Sequence, residues 1–499
     1  MATELTFFNT YTREKQPFRP LEEGVVRMYN CGPTVYGRVH VGNLRSFVFA
    51  DILRRTLEHF GYEVRQVMNI TDVGHMVDDA DEGEDKLMAQ ARKEQADPWA
   101  ISARHAEQFL VDIAALGFRP AMVYPKATEH IPEMLEMIEG LLASGHAYEV
   151  DGQVYFDVHA FPGYGQLSGN RVEDLDAGAR IEVREDKRHP ADFALWKQDP
   201  HHLMKWDSRF GPDGFPGWHI ECSAMARKHL GDRIDIHTGG EDNVFPHHEC
   251  EIAQSEAFTG ERFANLWMHA KFLQVDGGKM SKSLGNVYDL DDVAERGFEP
   301  RHLRFALLRG HYRQPLNFTW QVMEEARAFL DGLDRLAQDL GRLVEAGGDR
   351  GVDAGASGAA PDDDLGVPSG AAVPGDDRGV DSVATLRADF DRALADDLSV
   401  PRALAALSGL RTLVAQGELA GAGAVAGLDF LRAADAVLGV VDLEGASEGP
   451  GDDVEALIAA REQARADKDW AASDRIRDEL VAMGITLEDT PEGTVWRRG

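Results

Sequence analysis

Three sparse cysteines, a histidine and a glutamate have the types and spacing of a metal site. The 499-residue chain contains only Cys31, Cys222 and Cys250. A helix over the stretch that holds the third cysteine would put His247 on one face with Cys250 and Glu251, because side chains three and four positions apart are neighbours on a helix. Cys31 and Cys222, with His247 and one of those two, would form a tetrahedral zinc site. The spacing does not choose the fourth ligand, and three unrelated buried thiols are the competing interpretation.

A lysine-rich segment has the composition of a phosphate-binding loop. Lys279–Ser283 contains Lys279 and Lys282 with two serines, and it follows Gly277 and Gly278. A glycine pair suits a mobile loop that closes on a polyphosphate, where lysine would neutralise charge that develops on the phosphates. A solvated basic turn is the alternative. The segment is conspicuous because the chain has 86 acidic and only 52 basic residues.

A glycine-containing loop near the N-terminus offers a second phosphate site. Tyr29–Ser46 follows an apolar run that predicts a buried strand and precedes a helical pattern, and Tyr62–Ile70 then predicts a second strand. Such a βαβ unit leaves backbone N–H groups and a helix N-terminus facing an anion. The tetrapeptide His40–Asn43 has little specificity by itself. Cys31 lies in the same loop, so the phosphate-binding turn and the possible metal site are joined.

The elements around these residues predict an α/β domain with an insertion. Helical periodicity extends from about residue 86 to 116, and Ile234–Gly240 and Leu266–Val275 each predict a strand. Residues from about 120 to 215 contain short strand-like pieces with many turn signals, which is typical of an insertion between two halves of such a domain. Pro246 suits the first position of a helix and predicts that a helix begins there.

The second half of the chain predicts helical and low-complexity segments. Residues 347–383 are mostly Gly, Ala, Asp, Pro and Ser, so they have almost nothing to bury and are expected to be disordered. The predicted organisation is an α/β domain at 1–320 with its insertion at about 120–215, a linking helix at 321–346, the acidic insertion at 347–383, a helical bundle at 384–445, and a small α+β unit of two helices and a hairpin at 452–499.

Charge and cysteine usage limit the compartment. Three cysteines argue against a disulfide framework, and neither a signal peptide nor a membrane-spanning run is recognisable, so we expect a soluble cytoplasmic protein with no membrane partner. The formal net charge of −34 would by itself argue against a nucleic-acid partner. The acidic residues are spread through every segment. We therefore favour an acidic surface suited to a very salty cytoplasm, which would make the protein halophilic.

Together the motifs resemble those of a known enzyme family. His40–Asn43 and Lys279–Ser283, about 240 residues apart, resemble the two ATP motifs of class I aminoacyl-tRNA synthetases. The loop of Cys31, with Gly217–Met225 and Phe245–Glu251, resembles the cysteinyl-tRNA synthetases specifically. The resemblance covers nearly the whole chain apart from the low-complexity insertion. It implies a Rossmann-like catalytic domain at 1–320 and an anticodon-binding domain at 452–499.

The resemblance also implies a ligand set and a substrate pocket. In that family an active-site zinc is held by two cysteines, a histidine and a glutamate, and the matching positions here are Cys31, Cys222, His247 and Glu251. It thus selects Glu251 over Cys250, and the zinc would take the substrate thiolate as an additional ligand. The positions that match the family's cysteine pocket are Thr71, Trp218 and His237.

For ATP, the resemblance implies that His40 and Asn43 hold phosphate oxygens and that Lys282, with Lys279, stabilises the transition state. Mg²⁺ would accompany ATP. Asn43 departs from the commonest motif, which has a second histidine, and it cannot carry a proton charge. The residues expected to bind ATP are Gly42, Gly239 and Lys282.

Anticodon recognition is assigned to the C-terminal unit. Splayed RNA bases need aromatic platforms and hydrogen-bonding side chains. The residues that the resemblance implies for reading the anticodon are Arg465, Trp470, Asp474 and Asp489.

The predicted reaction is ATP-dependent activation of L-cysteine as the adenylate, followed by transfer to tRNA(Cys), with AMP and pyrophosphate as products. A close rival is the ligase that joins cysteine to an amino sugar in mycothiol synthesis, which shares the catalytic core but lacks the anticodon domain. A rival of another class is a non-catalytic tRNA-binding relative of the synthetases. Such a protein would have no reason to keep both lysines and His40.

Overall fold

A computed structural model describes residues 3–74, 86–178, 187–281, 284–348, 377–443, 452–466, 469–482, 485–490 and 493–498. Lys282, one of the predicted catalytic residues, lies outside these residues, as do residues 349–376 of the low-complexity insertion. Within the part of the chain that is described, no helix combines the length and apolar character needed to cross a membrane.

Strands and helices alternate through the first half of the chain. In chain order these elements are β1 (Thr6–Asn9), β2 (Glu14–Pro17), β3 (Val25–Asn30), α1 (Val41–His59), β4 (Glu63–Met68), α2 (Lys86–Glu94), α3 (Pro98–Ala115), α4 (Ile131–Ala143), β5 (Ala147–Val150), β6 (Gln153–Phe156), α5 (Val172–Gly178), β7 (Phe193–Gln198), β8 (Trp206–Ser208), β9 (Gly211–Pro216), α6 (Trp218–Leu230), β10 (Ile234–Gly240) and α7 (Glu249–Thr259).

Helices predominate in the second half. In chain order its elements are β11 (Ala264–Ala270), β12 (Leu273–Val275), β13 (Gly278–Lys279), α8 (Leu290–Glu295), α9 (Pro300–Leu308), β14 (Leu316–Phe318), α10 (Trp320–Gly348), α11 (Val380–Ala395), α12 (Val400–Ala415), α13 (Ala422–Leu438), α14 (Asp452–Ala466), α15 (Trp470–Ala482), β15 (Ile485–Thr490) and β16 (Gly493–Arg498).

A parallel sheet forms the centre of the first half. Its strand order is β11-β10-β3-β4, and every neighbouring pair is parallel. The central strands β3 and β10 are almost entirely buried, as expected for apolar strands covered on both faces. Because the carboxyl ends of parallel strands meet at one edge, the residues that follow β3 and β10 come together there. The predicted α/β class with a parallel sheet is confirmed.

The segment predicted as an insertion contains a second, antiparallel sheet. Its strand order is β5-β6-β7-β9-β8, so all five strands lie between residues 147 and 216. Trp196 of β7 and Phe156 of β6 are fully buried on this sheet. Both belong to the same apolar cluster as Ile220 and Met225 of α6, so the antiparallel sheet packs continuously onto the helix that carries Cys222.

Three local predictions differ from the observed elements. The helix expected over residues 86–116 is divided at Pro98, where Asp97 caps the second helix by accepting from the backbone N–H of Trp99. The strand expected over Leu266–Val275 is divided at residues 271 and 272, because β12 pairs with β13 and β14 in a separate sheet. The segment expected to be disordered over residues 347–383 ends in the first turn of α11, which begins at Val380. The helical turn expected from Pro246 is present: Val244–His248 form a π-helical segment, kinked at the extended Phe245, that runs into α7 at Glu249.

Helices α8 to α13 share one apolar core with α1. Leu44 and Phe47 of α1, Leu303 of α9, Leu330 of α10 and Phe430 of α13 are all buried members of this core. The apolar cluster therefore extends from α1 into residues 384–445, the region predicted as a helical bundle.

A fully buried arginine lies within that junction. Arg304 of α9 is 0% exposed and donates hydrogen bonds to Asp51 Oδ2 (2.5 Å), to the Leu438 carbonyl (2.7 Å) and to the Leu116 carbonyl (3.3 Å). Leu116 and Leu438 lie at the C-terminal ends of α3 and α13, where carbonyls have no partner within their own helix. One guanidinium therefore closes two helix ends and pairs with a carboxylate of α1.

The C-terminal unit has the predicted two helices and a hairpin. Helices α14 and α15 contact each other, and β15 pairs with β16 in an antiparallel register. Leu480 is fully buried and packs with Leu457, Ile458 and Ile476. This small apolar cluster joins the two helices.

Candidate active site and metal centre

Four potential metal ligands converge at the carboxyl edge of the parallel sheet. Cys31 directly follows β3, Cys222 lies in α6, His247 precedes α7 and Glu251 lies in its first turn. All four side chains are buried, and their ligand atoms lie within 4.8 Å of one another. Cys31, Cys222 and the pair of His247 and Glu251 come from three distant segments of the sequence, so the fold brings these segments together.

The distances within this quartet suit a small cation. Cys222 Sγ lies 3.5 Å from His247 Nε2, His247 Nε2 lies 3.2 Å from Glu251 Oε1, and Cys31 Sγ lies 3.7 Å from the same oxygen. Burial raises the pKa of the Cys31 thiol well above its usual range, and the neighbouring Cys222 and Glu251 raise it further. A bound dication would reverse that effect, since metal coordination deprotonates a thiol. Two thiols, an imidazole and a carboxylate form a donor set that fits tetrahedral zinc.

Cys250 is outside the quartet. Its Sγ lies 3.4 Å from the Tyr164 hydroxyl, and the residue belongs to the apolar cluster beneath the antiparallel sheet. Helical spacing could not separate it from Glu251 because both residues are close to one turn beyond His247. Packing against Tyr164 separates them in the folded chain.

A second quartet overlaps the first. Cys31, His237, His248 and Glu251 also have their ligand atoms within 4.8 Å of one another. His237 Nε2 lies 2.9 Å from Glu251 Oε2, and His248 Nε2 lies 3.1 Å from Cys31 Sγ. The first quartet contains two thiols and the second only one, and soft sulfur ligands favour zinc. The donor chemistry therefore favours the quartet with Cys222 and His247, with the other two histidines supporting its ligands.

The supporting histidines form a chain that the sequence did not predict. His248 Nδ1 lies 2.8 Å from His269 Nε2, and His269 Nδ1 lies 2.8 Å from Thr10 Oγ1. Burial lowers the pKa of His248 well below its usual range and that of His269 to about 3, so both rings are neutral at pH 7. When Cys31 is a metal-bound thiolate its sulfur can only accept, so the tautomers that satisfy every contact have Thr10 donating to His269, His269 to His248, and His248 to the sulfur. Such partners orient a metal ligand.

His219 supports the other side of the quartet. Its Nδ1 lies 2.8 Å from Nδ1 of His247, which leaves Nε2 of His247 directed towards Cys222 and Glu251. The only sequence signal for His219, His248 and His269 is that several histidines occur near strand ends and before α7. That signal gives no pairing, because His248 and His269 are 21 positions apart.

Two of the three residues predicted for the cysteine pocket lie against the quartet, and the third lies beside the adjoining loop. The rings of Trp218 and His247 have centroids 4.5 Å apart, and the ring of His237 stacks on Trp267 at the same separation. Thr71 is buried beside the loop that follows Cys31, where its backbone N–H donates to the Pro33 carbonyl. The structure thus brings Trp218 and His237 against the metal ligands and Thr71 against the adjoining loop.

His40 and Asn43 form the N-terminal cap of α1. The backbone N–H of Asn43 donates to His40 Nδ1, and the backbone N–H of His40 donates to Asn43 Oδ1, each at 3.3 Å. Asn43 is exposed and His40 half-buried. The cap holds both polar side chains at a helix end whose N–H groups and dipole favour an anion.

Two glycines at this edge allow close approach. A Cβ on Gly42 would lie 2.4 Å from the Met280 methyl carbon, so the lysine-rich segment packs directly against the loop that contains His40. A Cβ on Gly239, near the end of β10, would lie 2.8 Å from a ring carbon of His248 and 2.9 Å from Asn243 Oδ1. A larger residue at Gly42 or Gly239 would therefore fit only if the neighbouring side chains moved.

Lys279 is exposed at the end of the β12–β13 hairpin. Asn286 holds the turn that follows it, because its amide donates to the Lys279 carbonyl (3.2 Å) and its Oδ1 accepts from the Ser281 backbone N–H (2.8 Å). No sequence motif pointed to Asn286. The carbonyl of Tyr288, two residues further on, accepts from the Val41 N–H at 2.9 Å, which ties this segment to the start of α1.

The anticodon candidates lie on three elements of the C-terminal unit. Arg465 is half-buried in α14, and Trp470 is 60% exposed at the start of α15. Asp474 is exposed and pairs with Arg477 at 3.1 Å, and Asp489 lies in β15. An exposed tryptophan on a helix is available for stacking with a base.

Comparison with solved structures and family descriptions identifies the class of protein. The structure "Mycobacterium tuberculosis methionyl-tRNA synthetase in complex with methionyl-adenylate" matches with a TM-score of 0.58 and 14% identity, and the match covers 85% of this chain and 92% of that one. Residues 17–328 match the description "tRNA synthetases class I (C) catalytic domain". The fold and the catalytic region are those of a class I aminoacyl-tRNA synthetase.

Full-length relatives define the family within that class. The cysteine–tRNA ligase of Chlorobaculum tepidum is 42% identical over 99% of both chains, and one from Thermus thermophilus is 45% identical over the same shares. The cysteine–tRNA ligase of Geobacillus thermodenitrificans is 43% identical over the full length of both. Residues 448–497 match the description "Cysteinyl-tRNA ligase anticodon binding domain". The chain belongs to the cysteine–tRNA ligase family.

Proposed function

We propose that this chain activates L-cysteine with ATP to form cysteinyl-adenylate and then transfers the cysteinyl group to tRNA(Cys). The observation that carries the proposal is the buried quartet of two thiols, an imidazole and a carboxylate, one member of which, Cys31, lies in the loop that leads to the N-terminus of α1. We infer that the thiol of the substrate would bind at the quartet and the polyphosphate of ATP at the N-terminus of α1. Family membership over the full length supports both half-reactions.

The proposed metal is one zinc ion per chain, held by Cys31, Cys222, His247 and Glu251. Bound zinc would supply a position for the substrate thiolate and so favour cysteine over its hydroxyl analogue. The protein's own contribution is orientation, since His248 donates to the Cys31 sulfur and His219 contacts the ring of His247. Trp218, His237 and Thr71 would enclose the substrate side chain and exclude water from it.

On the phosphate side, His40 and Asn43 would hold phosphate oxygens with the N-terminal N–H groups of α1. Gly42 and Gly239 would allow the nucleotide to approach the backbone closely. Lys279 and Lys282 would neutralise the charge that develops as the substrate carboxylate attacks the α-phosphate and pyrophosphate leaves. Mg²⁺ would enter with ATP, bound by the phosphates.

The C-terminal unit is proposed to read the anticodon through Arg465, Trp470, Asp474 and Asp489. The match of residues 448–497 supports this role and disfavours an amino-sugar ligase, which would lack such a unit. The non-catalytic alternative is disfavoured because the chain keeps His40 and both lysines of the second ATP motif.

A cytoplasm of high salt is the proposed working environment. Between Asp452 and Gly499 the chain has twelve acidic and seven basic residues, a net charge of −5 in the unit that would bind RNA. Counterion release can contribute little there, whereas stacking on Trp470 is much less sensitive to salt. Aminoacylation should therefore peak above about 1 M KCl, where the Debye length is about 3 Å. Full activity and an unchanged melting temperature at about 0.1 M would contradict this adaptation but not the proposed reaction.

Two assays test the reaction itself. Cysteine-dependent exchange of pyrophosphate into ATP should proceed without tRNA, and the chain should then charge tRNA(Cys) with cysteine. Absence of exchange at any salt concentration would refute the proposed activity. Exchange without charging of tRNA, but with ligation of cysteine to an amino sugar, would establish the mycothiol-type alternative instead.

A further inference from the structure

A second group of metal-ligand side chains lies in the antiparallel sheet region. Asp157 and His159 follow β6, and His189 precedes β7. Their ligand atoms lie within 4.8 Å of one another, and the two imidazole rings have centroids only 3.9 Å apart. His189 is 30 positions from His159, so the fold and not local sequence brings the two rings together. None of the three belongs to the buried quartet.

One buried carboxylate holds both segments that carry these residues. Asp192 is buried, and its Oδ1 accepts from the backbone N–H of Val158 at 3.0 Å. Its Oδ2 accepts from the backbone N–H of His189 at 3.2 Å and from the Tyr148 hydroxyl at 2.7 Å. The backbone next to His159 and that of His189 are therefore fixed to the same side chain. Such preorganisation reduces the entropy lost when a ligand binds.

The charges around the group set its expected strength. Asp157 Oδ1 accepts from the His159 backbone N–H at 3.1 Å, and Oδ2 accepts from Arg188 at 3.4 Å. Each carboxylate oxygen has two lone pairs, so one on each remains for a metal. The Arg188 guanidinium also stacks on the Tyr148 ring at 4.0 Å, which keeps a positive charge nearby. This charge should make binding weaker than at the thiol-containing quartet.

We propose that Asp157, His159 and His189 bind one divalent cation of the zinc class and thereby link the turn after β6 to the segment before β7. Two imidazoles and a carboxylate are ligands that zinc and nickel accept, with a remaining position for water. Magnesium and calcium prefer sets made of oxygen, so they should not compete. The ion would brace the inserted sheet and take no part in the reaction at the quartet.

Metal stoichiometry tests this site on the full chain. We expect wild-type protein dialysed against micromolar Zn²⁺, in the presence of millimolar Mg²⁺, to hold two zinc ions, and His159→Ala and His189→Ala each to hold one. His201→Ala, which removes an exposed histidine from the same region, should still hold two. The single variants should charge tRNA at the wild-type rate, which also shows that they are folded.

A thermal measurement separates a functional brace from weak surface binding. When the starting protein holds zinc at the quartet only, added Zn²⁺ should raise the unfolding temperature of wild type and His201→Ala but not of His189→Ala. Equal zinc content in wild type and His189→Ala, or a second zinc only at millimolar concentration, would overturn the proposal.

A separate observation concerns Arg45, which lies two residues after Asn43 in α1. Its side chain is buried, and burial lowers its pKa to about 10. All four of its described hydrogen bonds go to backbone carbonyls, those of Lys271 (3.0 Å), Leu307 (2.9 Å), His311 (3.3 Å) and Gln314 (2.8 Å).

Two of these four carbonyls, those of Lys271 and Gln314, lie next to the hairpin that carries Lys279. Lys271 lies two residues before Leu273, where β12 begins. The hairpin that β12 forms with β13 ends at Lys279. Gln314 is the last residue but one before β14, and β14 pairs in parallel with β12. The guanidinium of Arg45, on α1, therefore binds the backbone just before β12 and just before β14. These two strands support the hairpin that carries Lys279.

We infer that Arg45 is a positioning residue that fixes the separation between the N-terminus of α1 and the Lys279 hairpin. This inference rests on the proposed function of those two motifs. Lysine cannot replace the fork of donors, because an ammonium presents its three N–H groups from one atom.

Kinetics and hydrogen exchange of Arg45→Lys test this role. We expect kcat of ATP–pyrophosphate exchange to fall about tenfold or more while KM for cysteine stays within about twofold. Backbone amides of residues 272–280 should exchange faster than in wild type. The matched control is Arg54→Lys, because Arg54 lies on the same helix but bonds to Glu58, Gln66 and Pro120. It should lose some stability and keep kcat.

An Arg45→Lys variant with wild-type kcat and wild-type exchange at residues 272–280 would overturn the inference. If wild type itself lacked cysteine-dependent ATP–pyrophosphate exchange, the proposed function would be wrong. Hydrogen exchange of the backbone amides at residues 272–280 would then alone decide whether Arg45 holds the hairpin.

Discussion

The candidate site has a buried side, which contains the proposed metal ligands, and an exposed side, which contains residues proposed to bind phosphate. The two sides meet at one edge of the sheet but differ in how they are built. Cys31, Cys222, His247 and Glu251 are at most 9% exposed and are surrounded by packed aromatic rings and histidines. Asn43 and Lys279 are exposed, and a helix cap and a hairpin turn position them. The buried side is held by packing on all sides, whereas the exposed side is held by a few hydrogen bonds at a helix cap and a hairpin turn.

This difference separates the expected consequences of substitution. Removing a buried ligand should remove the metal and recognition of the amino acid together, because the members of a coordination set act as a unit. Removing an exposed lysine should slow the chemistry with ATP and leave the metal in place.

The largest expected effect is discrimination against serine. A site built around one specific polar contact can reject an analogue that lacks it by about 10⁴–10⁵-fold. We expect kcat/KM for serine-dependent pyrophosphate exchange to be lower than that for cysteine by this factor. Serine adenylate formation within about a hundredfold of cysteine would mean that the buried side does not select the thiol.

Loss of one ligand should have the next largest effect. Cys222→Ser should lose the bound metal and lower cysteine-dependent exchange by about 10³-fold, because the metal contact that orients the substrate is lost. Metal analysis and exchange assays on the same preparation check this. Cys250→Ser is the matched control and should keep both, since that thiol contacts Tyr164 outside the quartet. Wild-type protein without stoichiometric zinc would exclude the metal site.

Lys279→Ala should show the opposite pattern on the exposed side. We expect kcat for exchange to fall by about 10²-fold, in line with the loss of one group that stabilises developing charge, while zinc content stays unchanged. Lys205→Ala, at an exposed lysine of the antiparallel sheet region, should have no effect on exchange. Loss of zinc from Lys279→Ala would show that the two sides are not independent.

Trp470→Ala should raise KM for tRNA without affecting exchange. Base stacking on an aromatic side chain contributes about 1–3 kcal/mol, which corresponds to about 5–150-fold. Val481→Ala changes another exposed apolar residue of α15 and should leave KM for tRNA unchanged. An increase in KM of less than twofold for Trp470→Ala would remove this residue from anticodon recognition.

The smallest effect is expected for the low-complexity insertion. Replacing residues 349–376 by a short Gly/Ser linker should alter the aminoacylation rate by less than about twofold, because the segment has few large apolar residues. A longer replacement of 347–383 should destabilise the protein, since it removes the first turn of α11 with the buried Val383. A large loss of charging from the shorter replacement would indicate contact with tRNA.

Sequence patterns predicted the buried and local features well. The apolar runs predicted β3 and β10, and helical periodicity predicted α1, α10 and the helices of the C-terminal unit. Hydrophobic periodicity does not show which strands pair. It therefore predicts one strand over Leu266–Val275, whereas β12 pairs with β13 and β14 in a separate sheet. A boundary such as that at Pro98 depends on one cap that periodicity does not detect.

The candidate site was predictable only where its residues are close in sequence or match a motif. The residue types indicated a metal site, but i+3 and i+4 spacing from His247 could not separate Cys250 from Glu251. The chain from Thr10 through His269 and His248 joins three distant segments, so no local pattern reveals it. The individual roles of the catalytic and binding residues stay predictions until the variants are measured.

The buried Arg304 makes the smallest foldable unit larger than the catalytic region. A fragment that ended near residue 328 would contain this arginine and Asp51 but not the Leu438 carbonyl, and it would expose the apolar face of α1 that packs against α13. The ion pair of Arg304 and Asp51 would remain, but the lost hydrogen bond from the charged guanidinium contributes about 1.5–3 kcal/mol, which is a sizeable part of the stability of a typical domain. Truncation of this enzyme to a minimal catalyst should therefore give an aggregating fragment, and any shortened version has to retain α13 with its terminal carbonyls.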